Sequence, residues 1–488
     1  MAAQNYLAFD FGAQSARAIH GKLETGKLEI SEQYRFQTGG IKVQDTLRWD
    51  ILGFFEEVKK ACKKYSKDNE EELHGIGIDS WGVDFALLDV EGKLVSNPYH
   101  YRDKRTNDIY NDAFRVVPKK EIYHITGIQF MQINSLFQLF SMVRDKDPDL
   151  NAAHTFLHIG DLFNYLLTKK IACEYTLATT SQLYDFANHD WSLDLIKRFG
   201  LNPAIFPKII PPSTELGPLL PKIANKVGLK DVKVIVPACH DTGAAIAAVP
   251  ATKDFIYISS GTWSLLGAEL SDPLVTEESL INNFTNEGGV FGTIRFLKNI
   301  SGLWILSECK NLWDVQKPST YDQLNREASQ AKAFRFFIDP DNPLFLNPEN
   351  MIEAIKQFCK KTNQNIPNSR GDLVRCILES LAMKYRYVYK MLAKMLKKSF
   401  KTLHIIGGGS QNQLLSQFAA NSTALEVKTG PVEATAIGNL LLQAVSQNKG
   451  MNFSELRKIV RNSFDIKTLT PQDTSKWDEV YTKFLKII

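Results

Sequence analysis

The sequence predicts an α/β protein with two large lobes. The chain has 488 residues, whereas a single hydrophobic core seldom extends past about 250–300 residues. Strand-like and helix-like apolar patterns alternate along the whole chain, which is typical of layered α/β folds. Two segments, Tyr6–Ile19 and Phe255–Leu266, repeat one pattern of strand, glycine turn and strand. This repetition indicates the duplication of one domain, and we expect a division into residues 1–244 and 245–488.

Composition and charge agree with a folded, soluble protein. Hydrophobic residues make up 44% of the chain, and the net charge of +4 comes from 58 basic and 54 acidic residues. This near balance does not indicate a nucleic-acid-binding protein. The first residues lack the basic region, apolar stretch and cleavage site of a secretion signal, and charges interrupt every apolar run before it could span a bilayer. We therefore expect a cytoplasmic enzyme with no nucleic-acid or membrane partner.

The cysteines are scattered, which indicates reduced thiols. No two of them have the two-residue spacing of a zinc or redox motif. The six positions are Cys62, Cys173, Cys239, Cys309, Cys359 and Cys376. We expect neither a zinc site nor a redox pair.

The first lobe opens with the Tyr6 hairpin and continues with alternating helices and strands. Apolar residues at helical spacing, short apolar runs and glycine turns define the elements in chain order. We expect a helix over 49–64, a strand–turn–strand over 75–89, helices over 134–146 and 160–168, a proline-rich irregular segment over 203–222, and a strand over 232–236.

The second lobe opens with the Phe255 hairpin, and the hinge between the lobes is expected near residues 243–254. The same signals predict helices over 298–311, 371–397 and 433–447, with a strand–turn–helix unit over 403–418. The lysine-rich segment 384–398 has the pattern of a nucleic-acid or membrane patch. We interpret it instead as an amphipathic helix with its apolar residues inward and its lysines in water.

Asp10 ends the first strand directly before the turn at Gly12. Turns of glycine and small residues point backbone N–H groups outward, where they can hold phosphate oxygens. A carboxylate there can hold Mg²⁺, and Arg17 on the returning strand can reach a phosphate with its forked donors. The alternative is a hairpin whose Asp10 only caps its own turn. Two such turns in one chain favour two lobes that bind one polyphosphate, and hence an ATP-dependent enzyme.

The segment Cys239–Ala248 is the sharpest local signal for catalysis. An apolar strand ends at Pro237, and a helix of small residues follows Thr242. Asp241 therefore stands at a helix N-terminus in a strand-to-helix crevice, where it can accept the proton of an attacking hydroxyl. The alternative is that Asp241 or Thr242 only caps the helix. His240 is either a donor to the substrate or a structural histidine.

Two further segments have the residues of a ligand site. Gly407–Gly409 lies between a strand and a helix, and glycines there let a ring or a phosphate approach the backbone closely. Asp79–Asp84 places Trp81 beside Gly82, and a Trp face packs equally well on a sugar or in a core. The Walker loop, the dinucleotide fingerprint, the zinc-protease motif and the nucleophile elbow are absent from the sequence.

Taken together, these motifs resemble those of the FGGY family of carbohydrate kinases over essentially the whole chain. Within the family, the resemblance is strongest to the branch that acts on L-rhamnulose. The matching segments are Asp10–Arg17, Gly77–Asp89, Tyr101–Asn107, Gly127–Phe130, His240–Thr242, Ser259–Leu265, Thr285–Gly289, Leu297–Ile300, Gly407–Asn412 and Gly430–Ala434. The resemblance implies the two-lobed actin-like ATPase fold, which is ribonuclease H-like, with the active site in the cleft between the domains.

The resemblance also implies an activity: ATP and Mg²⁺ serve the phosphorylation of L-rhamnulose at O1 to L-rhamnulose 1-phosphate. It assigns Asp241 as the general base and Asp10 to the metal. The sugar would be held by Gly82, His240, Asp241, Thr242 and Asn299. The nucleotide would be held by Ala13, Gln14, Ser15, Ala16, Arg17, Thr262, Ser307 and Gly408.

Three of these positions depart from the family pattern. Ala13 stands where many sugar kinases of the family have Thr, Ala16 replaces a common Gly, and Ser307 stands where a relative has Gln. The contact of Ser307 with the nucleotide is the one that this difference puts in question.

Two other functions compete with this one. The first is a kinase of another ketose, such as L-fuculose or L-xylulose, which a substrate panel would separate. The second is a sensor or chaperone-like protein that binds ATP and sugar on the same fold without phosphorylating a metabolite. The expected partners are a small sugar and ATP, and the expected state is a monomer or homodimer.

Overall fold

The computed structural model describes residues 3–251, 253–448 and 450–488. Helices and strands alternate along these residues, so the predicted α/β class is confirmed. The strands are β1 (Gln4–Phe11), β2 (Ser15–Glu24), β3 (Lys27–Gln37), β4 (Ile41–Val43), β5 (Thr46–Arg48), β6 (Leu73–Ser80), β7 (Phe85–Leu88), β8 (Thr155–His158), β9 (Cys173–Glu174), β10 (Tyr184–Asp185), β11 (Asp190–Trp191), β12 (Ile209–Ile210), β13 (Thr214–Pro218), β14 (Lys233–Val236), β15 (Phe255–Ser260), β16 (Trp263–Leu270), β17 (Thr285–Gly288), β18 (Ile294–Ser301), β19 (Thr402–Ile406), β20 (Glu426–Thr429) and β21 (Lys467–Leu469).

The α-helices connect these strands and cover the sheets. They are α1 (Ile51–Asp68), α2 (Ile109–Val116), α3 (Lys119–Thr126), α4 (Ser135–Arg144), α5 (Pro148–Asn151), α6 (Ile159–Thr168), α7 (Tyr175–Ala178), α8 (Leu193–Arg198), α9 (Pro221–Val227), α10 (Asp241–Ala247), α11 (Glu277–Ile281), α12 (Trp304–Asp314), α13 (Tyr321–Gln330), α14 (Met351–Lys361), α15 (Arg370–Met395), α16 (Gln413–Thr423), α17 (Ala434–Gln447), α18 (Phe453–Ser463) and α19 (Thr474–Phe484). Within the described part of the chain, no helix is both long and apolar enough to cross a membrane.

The chain forms two compact units that each draw on several segments. The first comprises the described residues of Met1–Pro250, Glu269–Phe296 and Ala434–Ser463. The second comprises those of Ala251–Ala268, Leu297–Glu433 and Phe464–Ile488. The division into residues 1–244 and 245–488 stays a prediction, as does the hinge near 243–254, of which Thr252 lies outside the described residues.

A six-stranded sheet forms the centre of the first unit, in the order β13-β14-β6-β1-β2-β3. The central strand β1 pairs antiparallel with β2 and parallel with β6. Seven of its eight residues are buried, as expected for a strand that is covered on both faces. The carboxyl ends of β1 and β6 therefore lie side by side at one edge of this sheet.

The helix α17 packs on this sheet through small and polar residues. Gly438 lies so close to α10 that a Cβ added to it would be 1.8 Å from the Ala244 carbonyl oxygen. One turn further along the same helix, Gln443 Nε2 donates to the Leu7 carbonyl oxygen at 3.2 Å. This close approach requires glycine at 438, and it brings the C-terminal segment of the chain against β1 and β6.

The second unit has its own sheet and a long, mostly buried helix. In this sheet β15 pairs antiparallel with β16 and parallel with β19, which pairs in turn with β20. The helix α15 carries Tyr385, whose hydroxyl lies 2.7 Å from the Ser264 hydroxyl on β16. This contact joins the helix to the hairpin that opens the unit.

Most of the predicted elements are confirmed, with two corrections. The helix predicted over 298–311 is wrong at its start, because residues 294–301 form β18 and α12 begins only at Trp304. Phe296, Leu297 and Ile300 are buried, which gives this strand its apolar character. The lysine-rich helix exposes Lys390 and Lys394 as predicted. Lys384, however, is buried, and it pairs with Asp339 at 2.8 Å.

Candidate active site

Two carboxylates meet where β1 and β6 end. The register places Asp10 opposite Asp79 across the parallel pair and opposite Arg17 across the antiparallel pair. Arg17 Nη2 donates to Asp10 Oδ2 at 2.6 Å. Asp79 is fully buried; its Oδ2 accepts a hydrogen bond from Asn439 Nδ2 at 2.6 Å, and its Oδ1 has no hydrogen-bond partner among the described residues.

The third carboxylate of this edge belongs to Asp241. Burial raises the pKa of Asp79 well above its usual range, and the charges of Asp10 and Asp241 raise it further. Burial, followed by the charge of Asp10, raises the pKa of Asp241 to about 7. The three acids therefore lie close enough for their charges to interact, and a cation bound among them would stabilise their ionised forms.

Asp241 is the first residue of α10, directly after the N-cap residue His240. Its Oδ1 accepts from the Thr242 backbone N–H at 2.6 Å and lies 3.2 Å from the Thr242 hydroxyl. The cap position thus belongs to His240, which makes no side-chain cap hydrogen bond. About 33% of the Asp241 side chain remains exposed, so its second oxygen is available to a ligand.

His240 lies between a buried arginine and Asp241. Arg295 Nη2 is 3.0 Å from His240 Nδ1, and His240 Nε2 is 3.3 Å from Asp241 Oδ1. Burial lowers the pKa of His240 well below its usual range, with further lowering by the charges of Arg295 and His158. The ring is therefore neutral at physiological pH.

Gly82 lies close to this histidine and leaves no room for a side chain. A Cβ at Gly82 would lie 3.2 Å from Thr180 Oγ1 and 3.3 Å from His240 Nε2. The main chain supports this arrangement, because Ser80 N–H donates to the Cys239 carbonyl oxygen at 2.8 Å. Gly82, His240, Asp241 and Thr242 are thus brought together in the first unit.

Asp84 organises the aromatic residues behind Gly82. Its Oδ2 accepts hydrogen bonds from Trp49 Nε1 at 2.6 Å and Trp81 Nε1 at 3.0 Å, and its Oδ1 accepts one from Gln138 at 2.9 Å. Burial raises the pKa of Asp84 to about 6. Trp81 is only 6% exposed and packs on Trp49 with ring centroids 4.2 Å apart. Trp81 is therefore mainly a core residue that fixes the wall of this region.

The turn between β1 and β2 holds the predicted nucleotide residues Ala13 to Arg17. Gly12 N–H donates to the Ser15 carbonyl oxygen at 3.1 Å, and the Thr38 hydroxyl donates to the Gly12 carbonyl oxygen at 2.6 Å. Gln14 is exposed, whereas Ala16 is fully buried. The turn is fixed by its own hydrogen bonds and by Thr38, a support that sequence inspection did not identify.

The second unit brings together the other predicted nucleotide residues, Thr262, Ser307 and Gly408. The Thr262 carbonyl oxygen accepts from Trp304 N–H at 3.2 Å, so Thr262 adjoins the start of α12, and Ser307 lies in the first turn of that helix. Gly407 has φ of +82° and lies against the Ser260 carbonyl oxygen. A Cβ on Gly408 would meet nothing within 4 Å, so its backbone faces open space.

Asn299 belongs to the second unit, on β18, and is half-buried. Its neighbour Lys298 has a pKa lowered to about 8, chiefly by burial. In the same unit Asp341 accepts from Ser301 N–H at 2.9 Å and pairs with Lys384 at 3.0 Å. The structure thus places Lys298, the neighbour of Asn299 in sequence, near a partly buried charged cluster.

A separate group in the first unit has potential metal ligands that the sequence spacing does not indicate. His158, Asp161 and Cys173 are fully buried, with ligand atoms within 4.8 Å of one another. Burial raises the pKa of both Asp161 and Cys173 and lowers that of His158 to about 3. Burial thus favours the uncharged form of each of the three side chains.

Comparison with known proteins identifies relatives over the full length of the chain. Residues 5–248 match the N-terminal domain of the FGGY family of carbohydrate kinases, and residues 256–447 match its C-terminal domain. The rhamnulokinase of Bacteroides thetaiotaomicron is 42% identical over 482 residues, which cover 99% of each chain. The rhamnulokinase of Bacillus subtilis is 38% identical and covers 96% of each chain.

Solved structures share the fold at low sequence identity. Gluconate kinase from Lactobacillus acidophilus superposes with a TM-score of 0.83 at 15% identity, covering 100% of this chain and 98% of that one. Glycerol kinase from Plasmodium falciparum, solved with ADP, superposes with a TM-score of 0.80 at 14% identity, covering 99% and 98%. The expected fold is thereby confirmed. Because the two family domains match nearly the whole sequence, the chain belongs to the FGGY family of carbohydrate kinases.

Proposed function

We propose that this protein transfers the γ-phosphoryl group of ATP to O1 of L-rhamnulose, which yields ADP and L-rhamnulose 1-phosphate. The substrate follows from similarity to curated rhamnulokinases that are 38–42% identical over at least 95% of this chain. The chemistry follows from one observation: a partly exposed carboxylate with a pKa near 7, that of Asp241, lies beside the histidine donor His240.

Asp241 is the general base of this proposal. Its carboxylate accepts the proton of the O1 hydroxyl as O1 bonds to the γ-phosphorus, while the bond from that phosphorus to the β,γ-bridging oxygen breaks and ADP departs. A base works best when its pKa lies near the working pH. Asp241 meets this condition because burial and the nearby Asp10 raise its pKa to about 7.

The sugar is placed by groups around Gly82. The substrate lies next to Gly82, which approaches His240 Nε2 and Thr180 Oγ1 so closely that a side chain at this position would crowd both atoms. His240 and Thr242 supply hydrogen-bonding groups on either side of Asp241, and Asn299 is the sugar ligand contributed by β18. Holding the hydroxyl against the base in this way supplies much of the rate enhancement in phosphoryl transfer.

The nucleotide is bound by two glycine turns. In the first unit, the turn from Ala13 to Arg17 offers backbone N–H groups and the forked donors of Arg17 to the phosphates. In the second unit, the hairpin turn at Thr262, the start of α12 with Ser307, and the open backbone at Gly408 bind the remainder of ATP. Gly408 fits this role because its backbone faces open space.

The acidic residues near the end of β1 fit a divalent cation. Asp79 Oδ1 is buried without a hydrogen-bond partner in the described chain, and Asp10 lies opposite it in the strand register. Asp10 and Asp79 would hold Mg²⁺, directly or through water, as hard oxygen ligands. Bound there, Mg²⁺ would neutralise charge on the phosphates of ATP.

A cytoplasmic location fits this activity, because ATP is supplied there. All six cysteines are buried free thiols, which agrees with a reducing compartment.

The proposed function is tested by an assay of ADP release with L-rhamnulose, L-fuculose, L-xylulose, D-xylulose and glycerol as acceptors. L-rhamnulose should give the highest kcat/KM with Mg-ATP. A more than tenfold preference for another acceptor would change the substrate assignment, and ADP release with none of them would favour a binding protein.

A further inference from the structure

Arg295 is fixed on all three of its nitrogens. It lies on β18 with none of its surface exposed. Nε donates to the Gly288 carbonyl oxygen at 2.8 Å, Nη1 pairs with Glu287 Oε2 at 3.1 Å, and Nη2 lies 3.0 Å from His240 Nδ1. The guanidinium therefore has one orientation, and one of its N–H groups faces the imidazole.

This contact determines which ring nitrogen of His240 carries the proton. A guanidinium only donates hydrogen bonds and stays charged in proteins. Nδ1 must therefore accept with its lone pair, which leaves the single proton of the neutral ring on Nε2. A proton on Nδ1 would direct that N–H at an N–H of the guanidinium, and a ring protonated on both nitrogens would also place two positive charges side by side.

We propose that Arg295 is a positioning residue that holds His240 as the neutral Nε2–H tautomer, so that Nε2 donates to a sugar oxygen next to the reacting hydroxyl. This inference rests on the proposed function. Nε2 is the nitrogen that faces Gly82 and lies 3.3 Å from Asp241 Oδ1. A 2-ketose has an oxygen on C2, the carbon next to the phosphorylated O1, and that oxygen can accept this hydrogen bond.

Glu287 would favour the opposite tautomer of His240 if Arg295 were absent. Its Oε2 lies 3.5 Å from His240 Nδ1, and a carboxylate at that position favours an N–H on Nδ1. Arg295 offsets the negative charge of Glu287 through their ion pair, and its own N–H group takes the position of the hydrogen-bond donor to Nδ1. The other ionisable groups that act on the ring are Asp241 on the Nε2 side and His158, whose own pKa burial lowers to about 3. Without Arg295, Glu287 and Asp241 would together favour a charged ring or the opposite tautomer.

The tautomer can be read directly by NMR of histidine-labelled protein, with the His240 signals identified by their loss in His240→Ala. In the wild type we expect Nε2–H and an unprotonated Nδ1, unchanged from about pH 5.5 to about 8.5. In Arg295→Met we expect the Nδ1–H form or titration within that range. A wild-type His240 that carries its proton on Nδ1, or that titrates near its ordinary pKa of about 6.5, would overturn the proposal. This readout needs no substrate, so it separates the inference from the proposed function.

Kinetics test whether Arg295 acts through His240. We expect Arg295→Met to raise KM for L-rhamnulose about tenfold while KM for ATP changes less than about twofold. When His240→Ala is already present, Arg295→Met should have little further effect on the sugar KM. If the two substitutions instead raise KM independently, so that their fold-changes multiply, the proposal is contradicted.

Arg457 offers a matched control. It is also buried, and it pairs with Glu269 at 2.7 Å in the same unit. Arg457→Met should lower thermal stability as Arg295→Met does, without changing the sugar KM or the His240 signals. An equal rise in the sugar KM of Arg295→Met and Arg457→Met would show that Arg295 only stabilises the fold. If Arg295→Met does not fold, the wild-type NMR measurement still decides the tautomer.

Discussion

Asp10 and Asp79 occupy opposite positions on two neighbouring parallel strands, so their carboxyl groups emerge together at the end of the sheet. One is paired with Arg17, and the other is held by Asn439 with one oxygen left without a partner in the described chain. Burial, followed by the charge of Asp10, raises the pKa of Asp79, and a bound divalent cation would offset this effect by stabilising the ionised carboxylate. The pair therefore fits a cation better than it fits a structural hydrogen-bond network.

Neutralising either acid should weaken metal binding. We expect Asp79→Asn to raise the Mg²⁺ concentration for half-maximal activity at least about tenfold, because carboxylates are the preferred ligands of Mg²⁺. Titration of Mn²⁺ followed by electron paramagnetic resonance should show the same loss without any turnover. Asp145→Asn, at an exposed carboxylate of the same unit, is the control. An unchanged metal requirement in Asp79→Asn would exclude Asp79 from the metal site.

Removing the base should separate catalysis from binding. Asp241→Asn keeps the shape of the side chain but cannot take the proton of the sugar hydroxyl. A positioned base contributes about 10²–10⁴-fold, so kcat should fall by that order while calorimetry still detects sugar binding. If the variant keeps a third or more of the wild-type kcat, Asp241 is not the base.

The same substitution should change how stability depends on pH. The pKa of Asp241 is about 7 in the folded protein, against about 3.9 for an unfolded Asp. The folded state therefore binds this proton more tightly, so its contribution to stability falls as pH rises from about 4 to about 7. Asp241→Asn removes that loss, and its melting temperature relative to wild type should increase from pH 5 to pH 8, measured without ligands. A constant difference across this range would show that the pKa of Asp241 is not raised.

The sequence was sufficient to predict features that depend on neighbouring residues. The strand–turn–strand around Gly12 with Arg17 on its returning strand, and Asp241 at the start of a helix, both follow from local pattern. Arg295 was missed because its role depends on contacts with residues 55 positions away and on β17. Its signal in the sequence is only a charge within an apolar strand, and the end of that strand, residues 298–301, was itself predicted as part of a helix.

The burial of Lys384 was missed for a similar reason. Helical spacing indicates which face a residue occupies, but not whether the segment opposite supplies acids. Asp339 and Asp341 do so here, at 2.8 and 3.0 Å from the lysine. The prediction that the lysines of this helix are exposed therefore failed at Lys384, because its ion-pair partners lie far from it in the sequence.

A side chain at position 82 should block the sugar. The Cβ of Gly82→Ala would lie 3.3 Å from His240 Nε2, and Gly82→Val would extend further into the space in front of that nitrogen. We expect progressively weaker sugar binding through the two variants, with ATP binding unchanged. Gly39→Ala, at an exposed glycine with nothing within 4 Å of an added Cβ, should change neither. Equal weakening of ATP and sugar binding would indicate a general structural defect instead of a sugar site at Gly82.

A side chain at position 408 should have the opposite selectivity. Gly408 belongs to the second unit, and an added Cβ would meet no protein atom within 4 Å, so Gly408→Val should fold normally. If the backbone here lies against the nucleotide, the valine side chain occupies the volume that ATP needs, and ATP binding should weaken at least about tenfold, close to 1.4 kcal/mol. Sugar affinity, measured by calorimetry in the same preparation, should stay within about twofold, which serves as the internal control. A folded Gly408→Val variant with unchanged ATP affinity would show that the turn at Gly408 is not part of the nucleotide site. The hairpin turn at Thr262 would then be the main nucleotide-binding segment of the second unit.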